Sequence, residues 1–207
     1  MQQELKSSKK EFWEEKYNTG SMPWDIGDVA PAFVKYLNKN PDIKKGRVAI
    51  LGCGRGHDGF YFAKNNFEVY GLDYAKNVIK YCSKLKEEKN LQNIYFFEED
   101  LFTISQKEKW KNFFDYAIEH TTLCAIDPKK RTEYIESIKY LLKPGGRLIG
   151  LFFIRPLEKG GPPFGSSLEE IDELLEKDFT EIEALRPEKC LHTKLEGDEW
   201  FGVFEKR

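Results

Sequence analysis

The segment RVAILGCGRGHDGF, Arg47 to Phe60, constrains the fold of this chain more than any other stretch. An apolar run, Val48 to Leu51, meets four glycines within eight residues: Gly52, Gly54, Gly56 and Gly59. Glycine enters left-handed backbone conformations at little cost and lets other groups approach the main chain. A buried strand running through such a turn into a helix opens a doubly wound α/β sheet, whose ligands bind at the carboxyl ends of the strands. Gly54, Gly56 and Gly59 also match GxGxxG, a pattern that is weak alone and gains weight only from this strand–turn–helix setting.

The rest of the chain repeats the alternation. VAIL is followed by a helix over Asp58 to Asn66, then by the strands FEVYGLD, IYFFEED, FDYAIEH and RLIGLFFI, with helical spacing between them at Val78, Ile79, Cys82 and Leu85 and at Tyr134, Ile138, Leu141 and Leu142. Ser167 to Lys177 opens with Ser-x-x-Glu and reads as a helix. FTEIEAL and EWFGVFEK close the chain as two β segments too near each other for a helical crossover, which predicts an antiparallel pair. Ahead of this core, Ser8 and Glu11 form a possible capping box for a helix to about Asn18, and Ala32, Phe33, Tyr36 and Leu37 mark a second helix ending before Pro41. The expectation is one α/β domain over residues 1–207, Rossmann-like and doubly wound. It has a mostly parallel seven-stranded sheet, an antiparallel C-terminal hairpin, and an N-terminal helical lid (1–45) on a core (46–207).

Composition narrows the function classes. A formal net charge of -2 gives no electrostatic reason to expect nucleic acid. No apolar run is long enough to cross a bilayer, and the first residues lack the apolar segment of a secretory signal, so a cytosolic protein without a membrane partner is expected. Cys53, Cys82, Cys124 and Cys190 form no CxxC pair, and His57, His120 and His192 lack ligand spacing. Reduced thiols and no metal are expected.

The acids near the glycine turn describe the ligand. Asp73 ends the second strand, 21 residues after Gly52, where a carboxylate can accept hydrogen bonds from both hydroxyls of a ribose; capping the next helix is its plainer role. The third strand ends in Glu98, Glu99 and Asp100, followed by Leu101 and Phe102, an acid for an adenine amino group beside an apolar cover for the ring. The turn itself holds one base, Arg55. That suits adenosine without phosphates, with the helix start at Asp58 receiving a carboxylate. Trp13 and Tyr17 share a helix face and Trp24 follows Pro23. Aromatic faces attract a cation such as a sulfonium, although the plainer role of such a helix, and by itself the weightier one, is to pack Phe12 or Trp13 onto the core.

These pieces carry a resemblance. FWEEKYNTGSMPWDIG, LGCGRGHDG, GLDYA, EEDLF, CAIDPKKRTEY, LLKPGGRLIGL and GGPPF, spanning about residues 12 to 165, resemble class I S-adenosylmethionine-dependent methyltransferases. More narrowly they are similar to the thiopurine methyltransferase superfamily, including plant halide and thiol methyltransferases. The resemblance implies S-adenosylmethionine as cofactor, becoming S-adenosylhomocysteine, with Trp13, Tyr17 and Trp24 closing over it. Gly52 and Gly54, with Cys53 between them, would meet its methionine end. Asp73 would meet its ribose and Asp100 with Leu101 its adenine, with Tyr74 also among the cofactor-binding residues. Glu119 and His120 would lie beside the reacting methyl. Tyr17 departs from a tryptophan at its position, and His120 from the tyrosine common in plant relatives.

Methyl transfer is an in-line displacement, and alignment of the two reactants contributes roughly 7–11 kcal/mol. Arg131 is the candidate to steer an anionic acceptor, its plainer role being a surface partner of Asp127. His120 is the candidate to assist deprotonation of a thiol, or to donate a hydrogen bond. Cys124 reads as core, and the loop Gly160 to Phe164 as part of an acceptor pocket or a rigid turn. The reading is a monomeric methyltransferase acting on a small thiol, thiolate or related selenium, tellurium or halide nucleophile. A nicotinamide-linked oxidoreductase and a non-catalytic S-adenosylmethionine-binding module are the alternatives.

Overall fold

The computed structural model describes residues 5–156, 160–185, 188–189 and 198–207; Cys190 and His192 lie outside them. The strands are β1 (Arg47–Leu51), β2 (Glu68–Asp73), β3 (Ile94–Glu98), β4 (Phe114–His120), β5 (Leu142–Ile154), β6 (Phe179–Ala184), β7 (Glu188–Lys189) and β8 (Asp198–Lys206). They lie in the order β3-β2-β1-β4-β5-β8-β6, with the two-residue β7 paired to β8. β1 to β5 pair in parallel, and β8 runs antiparallel to β5, β6 and β7. The helices are α1 (Lys10–Thr19), α2 (Pro31–Lys39), α3 (His57–Lys64), α4 (Lys76–Glu88), α5 (Arg131–Leu141) and α6 (Leu168–Leu175).

Residue alternation along the strands decides which face each side chain enters. On β1, Ala49 and Leu51 join a core cluster with Tyr134, Ile135 and Ile138 of α5 and Ile171 of α6. Val48 and Ile50 point the other way, into a cluster with Phe33 of α2 and Phe60 and Phe62 of α3. Central strands apolar on both faces are what a sheet covered by helices on both sides requires.

The terminal strands do pair antiparallel, but the last strand enters the sheet between β5 and β6 instead of forming its edge. The burial pattern explains the order. β8 is buried from Glu199 to Phe204, whereas β6 exposes Thr180, Glu181 and Ile182 and takes the edge, where charge discourages further pairing. The N-terminal helix also starts later than the Ser8 box implies. Lys6–Ser8 forms a 3-10 turn, Lys9 stands at the N-cap without a side-chain bond, and the Ser7 carbonyl accepts from the Trp13 indole at 2.8 Å.

Gly150 and Gly202 face each other directly across β5 and β8. The rings of Phe152 and Phe204, two residues farther along each strand, fold back over them. A β carbon on Gly202 would lie 2.5 Å from Phe204 Cε2. Gly202→Val is therefore expected to lower stability by about 1–3 kcal/mol through overpacking. Urea unfolding checks this: the midpoint should fall with the slope unchanged.

Candidate active site

The carboxyl ends of β1, β2, β3 and β4 open into a cavity of about 580 Å³, closed from above by the N-terminal segment. That lies within the roughly 300–1,000 Å³ of small-molecule sites. The glycine turn forms its floor. Gly52 and Gly54 have φ of 55° and 48°, in the left-handed region, and a β carbon on Gly52 would lie 2.5 Å from Thr122 Oγ1. A side chain at Gly52 would therefore be strained twice, by conformation and by contact.

Asp73 organises this floor. It is 6% exposed. Gly54 N donates to its Oδ2 at 2.9 Å and Ala75 N to its Oδ1 at 2.8 Å, tying the turn after β1 to the end of β2. Burial pushes its carboxyl up to about 6, against the pull of these backbone N–H groups and of the Tyr17 hydroxyl. The helix-capping alternative is met only in part: Asp73 shapes the turn before α4, while the N-cap residue, Ala75, has no side-chain bond. Asp100 also borders the cavity, with Oδ1 accepting from Phe102 N at 2.9 Å. Glu99, also at the wall, is drawn aside by Trp110 Nε1 at 3.0 Å and by Lys107.

The roof is aromatic. Trp24 packs edge-on against Trp13 (centroids 5.5 Å apart) and Tyr17 (6.1 Å). Trp13 and Tyr17 rest on Ala75, Val78 and Cys82, so they share the face that their spacing predicts. Polar contacts complete the docking of α1: Asn77 Nδ2 donates to Glu14 O and Asn18 Oδ1, both at 2.8 Å, and Lys10 pairs with Glu98. Asp25, which the sequence reading passed over, anchors the roof's far end. It lies 3.0 Å from His57 Nε2 and 3.7 Å from Arg55 Nε, and it accepts from Gly27 N at 2.8 Å. The His57 contact holds its carboxyl below the usual range despite burial.

The structure thus brings Trp13, Tyr17, Trp24, Gly52, Cys53, Gly54, Asp73, Tyr74, Asp100, Leu101 and His120 to one cavity, with Cys124, Pro162 and Pro163. Two expected residues stand apart from it. Glu119 is 1% exposed and faces α5. Thr122 N and Leu123 N donate to its Oε1 at 2.9 and 2.8 Å, and the Tyr134 hydroxyl bonds its Oε2. It acts on the loop after β4 and not on a ligand. Arg131 is also 1% exposed. Its Nη1 donates to both carboxylate oxygens of Glu170, at 2.7 and 2.8 Å, and its Nη2 to Gly165 O at 2.9 Å. Neither an anion-steering arginine nor a surface partner of Asp127 describes it; it ties α5 to α6 and the preceding loop.

His120 reaches the cavity from the opposite face of β4. Its Nδ1 lies 2.8 Å from Asp58 Oδ2, while Ala30 N donates to Asp58 Oδ1 at 2.9 Å. Burial alone would lower the imidazole pKa, but the Asp58, Glu199 and Glu119 carboxylates together raise it above the usual value. Thr121, next along, has φ of 62°, rare for a β-branched residue and a mark of strain near a working site.

Comparison with known proteins gives a consistent picture. Residues 8–205 match the family model described as thiopurine S-methyltransferase. A probable thiol methyltransferase 2 of Arabidopsis thaliana is 34% identical over 164 residues, 79% of this chain and 70% of that protein. A thiocyanate methyltransferase 1 of Brassica oleracea is 32% identical over the same shares. Among solved structures, the Burkholderia thailandensis 1,6-didemethyltoxoflavin-N1-methyltransferase superposes with a TM-score of 0.73 at 20% identity, covering 95% of this chain and 86% of that one. It was solved with 1,6-didemethyltoxoflavin and S-adenosylhomocysteine bound.

The placement of Arg131 generates a prediction. Arg131→Met should lower stability by about 1–3 kcal/mol, because Gly165 O loses a charged donor and Glu170 its partner. Isothermal titration of the folded variant should show cofactor affinity within about twofold of the parent, since Arg131 lines no part of the cavity.

Proposed function

The chain belongs to the thiopurine S-methyltransferase family, and from that premise we propose that it methylates a small sulfur nucleophile with S-adenosylmethionine as donor. When bound, the cofactor supplies an electrophilic methyl group on a positively charged sulfur. The residues present fit it. The Asp73 carboxylate, buried beside the glycine turn, is the observation that carries the reading. Gly54 N and Ala75 N each hold one of its oxygens in place, and a ribose hydroxyl would share the carboxylate with the Tyr17 hydroxyl or displace it. We assign Asp100 and Leu101 to the adenine, Gly52 to Gly54 to the methionine end, and Tyr74 to the ribose edge. Trp13, Tyr17 and Trp24 exclude water above the sulfonium and offer it aromatic faces.

The chemistry of the wall disfavours a dinucleotide. A pyrophosphate at the glycine turn would meet Asp73, and Arg55, the base within the turn, is already beside Asp25. A purely cofactor-binding module is disfavoured by the paired His120 and Asp58 at the cavity's deeper end, an arrangement that binding alone does not need. We take the acceptor space to lie between His120, Cys124 and the Pro162–Pro163 loop, on the side away from Asp100. A small acceptor suits a cavity of this size, and the relatives are named for thiol and thiocyanate acceptors. Every residue invoked comes from one chain, so a monomer suffices. Cys53, Cys82 and Cys124 are buried thiols, as a reducing, cytosolic setting allows. No helix among the described residues is long and apolar enough to cross a membrane.

Asp73 makes the reading testable. Ribose hydroxyls donate to its ionised form, so binding lowers a carboxyl that sits at about 6 in the free protein. Cofactor affinity should therefore be level above about pH 7 and fall as pH drops through 6, by at most tenfold per pH unit. Asp73→Asn should weaken binding by about 10- to 100-fold at pH 7.5, since each bond to a charged acceptor contributes about 1.5–3 kcal/mol, and should flatten that pH slope. Calorimetric titration across pH 5–8 measures both. Absence of cofactor binding by the parent protein would overturn the function itself.

A further inference from the structure

We propose that Asp25 is the latch of the roof: its carboxylate pairs with His57 and Arg55 of the floor, holds Trp24 down, and so sets how fast the cofactor and its product pass in and out. This rests on the methyltransferase reading above. Asp25 acts through Trp24 and is a positioning residue.

Trp24 is the ring through which the roof coheres. It stands edge-on to both Trp13 and Tyr17 of α1, at 5.5 and 6.1 Å between centroids. Its own backbone belongs to the stretch between Thr19 and Pro31, which forms neither helix nor strand. Local bonds shape that stretch from within: Asp25 N donates to Met22 O at 3.1 Å, and Gly27 N to Asp25 Oδ1 at 2.8 Å. The Asp25 carboxylate reaches out of it. Oδ1 lies 3.0 Å from His57 Nε2, and Oδ2 lies 3.7 Å from Arg55 Nε. Asp25 and Trp24 are neighbours in the chain, so lifting the carboxylate from the floor carries the indole with it.

The floor partners are placed to hold. Arg55 lies in the glycine turn and His57 is the first residue of α3, on either side of Gly56. The Arg55 guanidinium also lies over the Tyr81 ring of α4, 5.3 Å from its centroid, which steadies it on the floor side. An arginine is charged at any working pH, and the His57 contact favours the ionised form of Asp25.

The same contact is built to part. Neither pairing is an aligned hydrogen bond: His57 Nε2 has no such partner, and 3.7 Å is beyond that range for Arg55. What holds the roof is electrostatic attraction, which tolerates small displacements. The Asp25 side chain is 12% exposed, but those of His57 and Arg55 are 31% and 39% exposed, so water replaces the carboxylate as their partner when the roof lifts. Ion pairs near water contribute modestly, enough to slow an opening without preventing it.

A direct hold on the cofactor is the other use for a carboxylate here. The Asp25 oxygens are already engaged, Oδ1 by Gly27 N and His57, Oδ2 by Arg55, which leaves the roof-to-floor contact as its task. A group that touches only the protein stabilises the closed roof equally with the site empty or filled. An interaction that does not distinguish two states shifts no equilibrium between them. The latch therefore raises the barriers to entry and to exit alike and leaves affinity unchanged.

Exchange kinetics test this. Asp25→Asn keeps an acceptor for Gly27 N and removes the charge. Entry of radiolabelled S-adenosylhomocysteine, and its release into excess unlabelled ligand, are followed by rapid filtration at pH 7.5. Both rate constants should rise by about fivefold in Asp25→Asn, the upper range for a partly exposed ion pair, while Kd stays within about twofold of the parent. His57→Gln, made from the floor side, should raise both rates in the same way. The double variant should exchange no more than about twofold faster than the faster single variant, because both changes open one contact. A fall in affinity carried by faster release alone would make Asp25 a direct ligand of the cofactor and overturn the latch. Unchanged rates in both single variants would overturn it too, as would effects of the two changes that multiply. A parent protein that binds S-adenosylhomocysteine while the variants exchange it at the parent rate defeats the latch and leaves the methyltransferase reading intact. A parent protein that does not bind it defeats both.

Discussion

One buried carboxylate holds the site together. Asp73 binds the N–H of Gly54 on one side and of Ala75 on the other, so the turn after β1 and the turn after β2 cannot move independently. Both turns leave adjacent parallel strands, and the floor of the cavity is the seam between them. The cost is the burial of a charge, visible in a carboxyl raised to about 6. The backbone donors and the Tyr17 hydroxyl offset only part of that cost. A ligand bringing further hydroxyl donors would offset more of it, so the cost at Asp73 is also the site's readiness to bind.

A second carboxylate performs the matching task on the next strand. Glu119 gathers the N–H groups of Thr122 and Leu123 and the hydroxyl of Tyr134, and so fixes the loop that follows His120. Thr122 in turn donates through its hydroxyl to Leu51 O at 2.8 Å, closing a circuit from β4 to the end of β1. The positive φ of Thr121 persists because its neighbours on both sides are held. His120 is presented to the cavity by this circuit, while its direction is set separately by Asp58.

The alternation of strands and helices, the glycine turn and the acids that follow the strands were legible in the sequence, because each rests on local periodicity or on a fixed place relative to a strand. Two errors followed from stopping there. Glu119 and His120 are neighbours on one strand and must point to opposite faces, so both could not reach one ligand. The period of two was available, and it separates the residue facing Tyr134 from the one facing Phe33. Arg131 was a different failure. Its partners, Gly165 and Glu170, lie more than thirty residues away, and no local pattern says that α5 and α6 meet. The role of Asp25 and the partners of Asp58, which was read only as the helix start that receives a carboxylate, were out of reach for the same reason: their contacts join the N-terminal segment to the core across long stretches of chain. The order of the last strands was legible in principle, since EWFGVF is apolar on both faces and FTEIEA is not.

The charge of the cavity links binding to turnover. Carboxylates crowded around a partly covered cavity repel one another, and the aromatic roof limits the water that would screen them. A cation held there relieves both costs. Loss of the methyl group would leave a neutral sulfur and remove the positive partner of these carboxylates, so such a wall would hold the sulfonium form more tightly than the product thioether. The roof is suited to let that product go: α1 buries no residue fully and is docked by a few polar contacts and two aromatic rings, so opening it disturbs none of the bonds that Asp73 and Glu119 maintain below. A rigid floor and a lightly held roof divide the work between precise alignment of the reactants and their exchange with solvent.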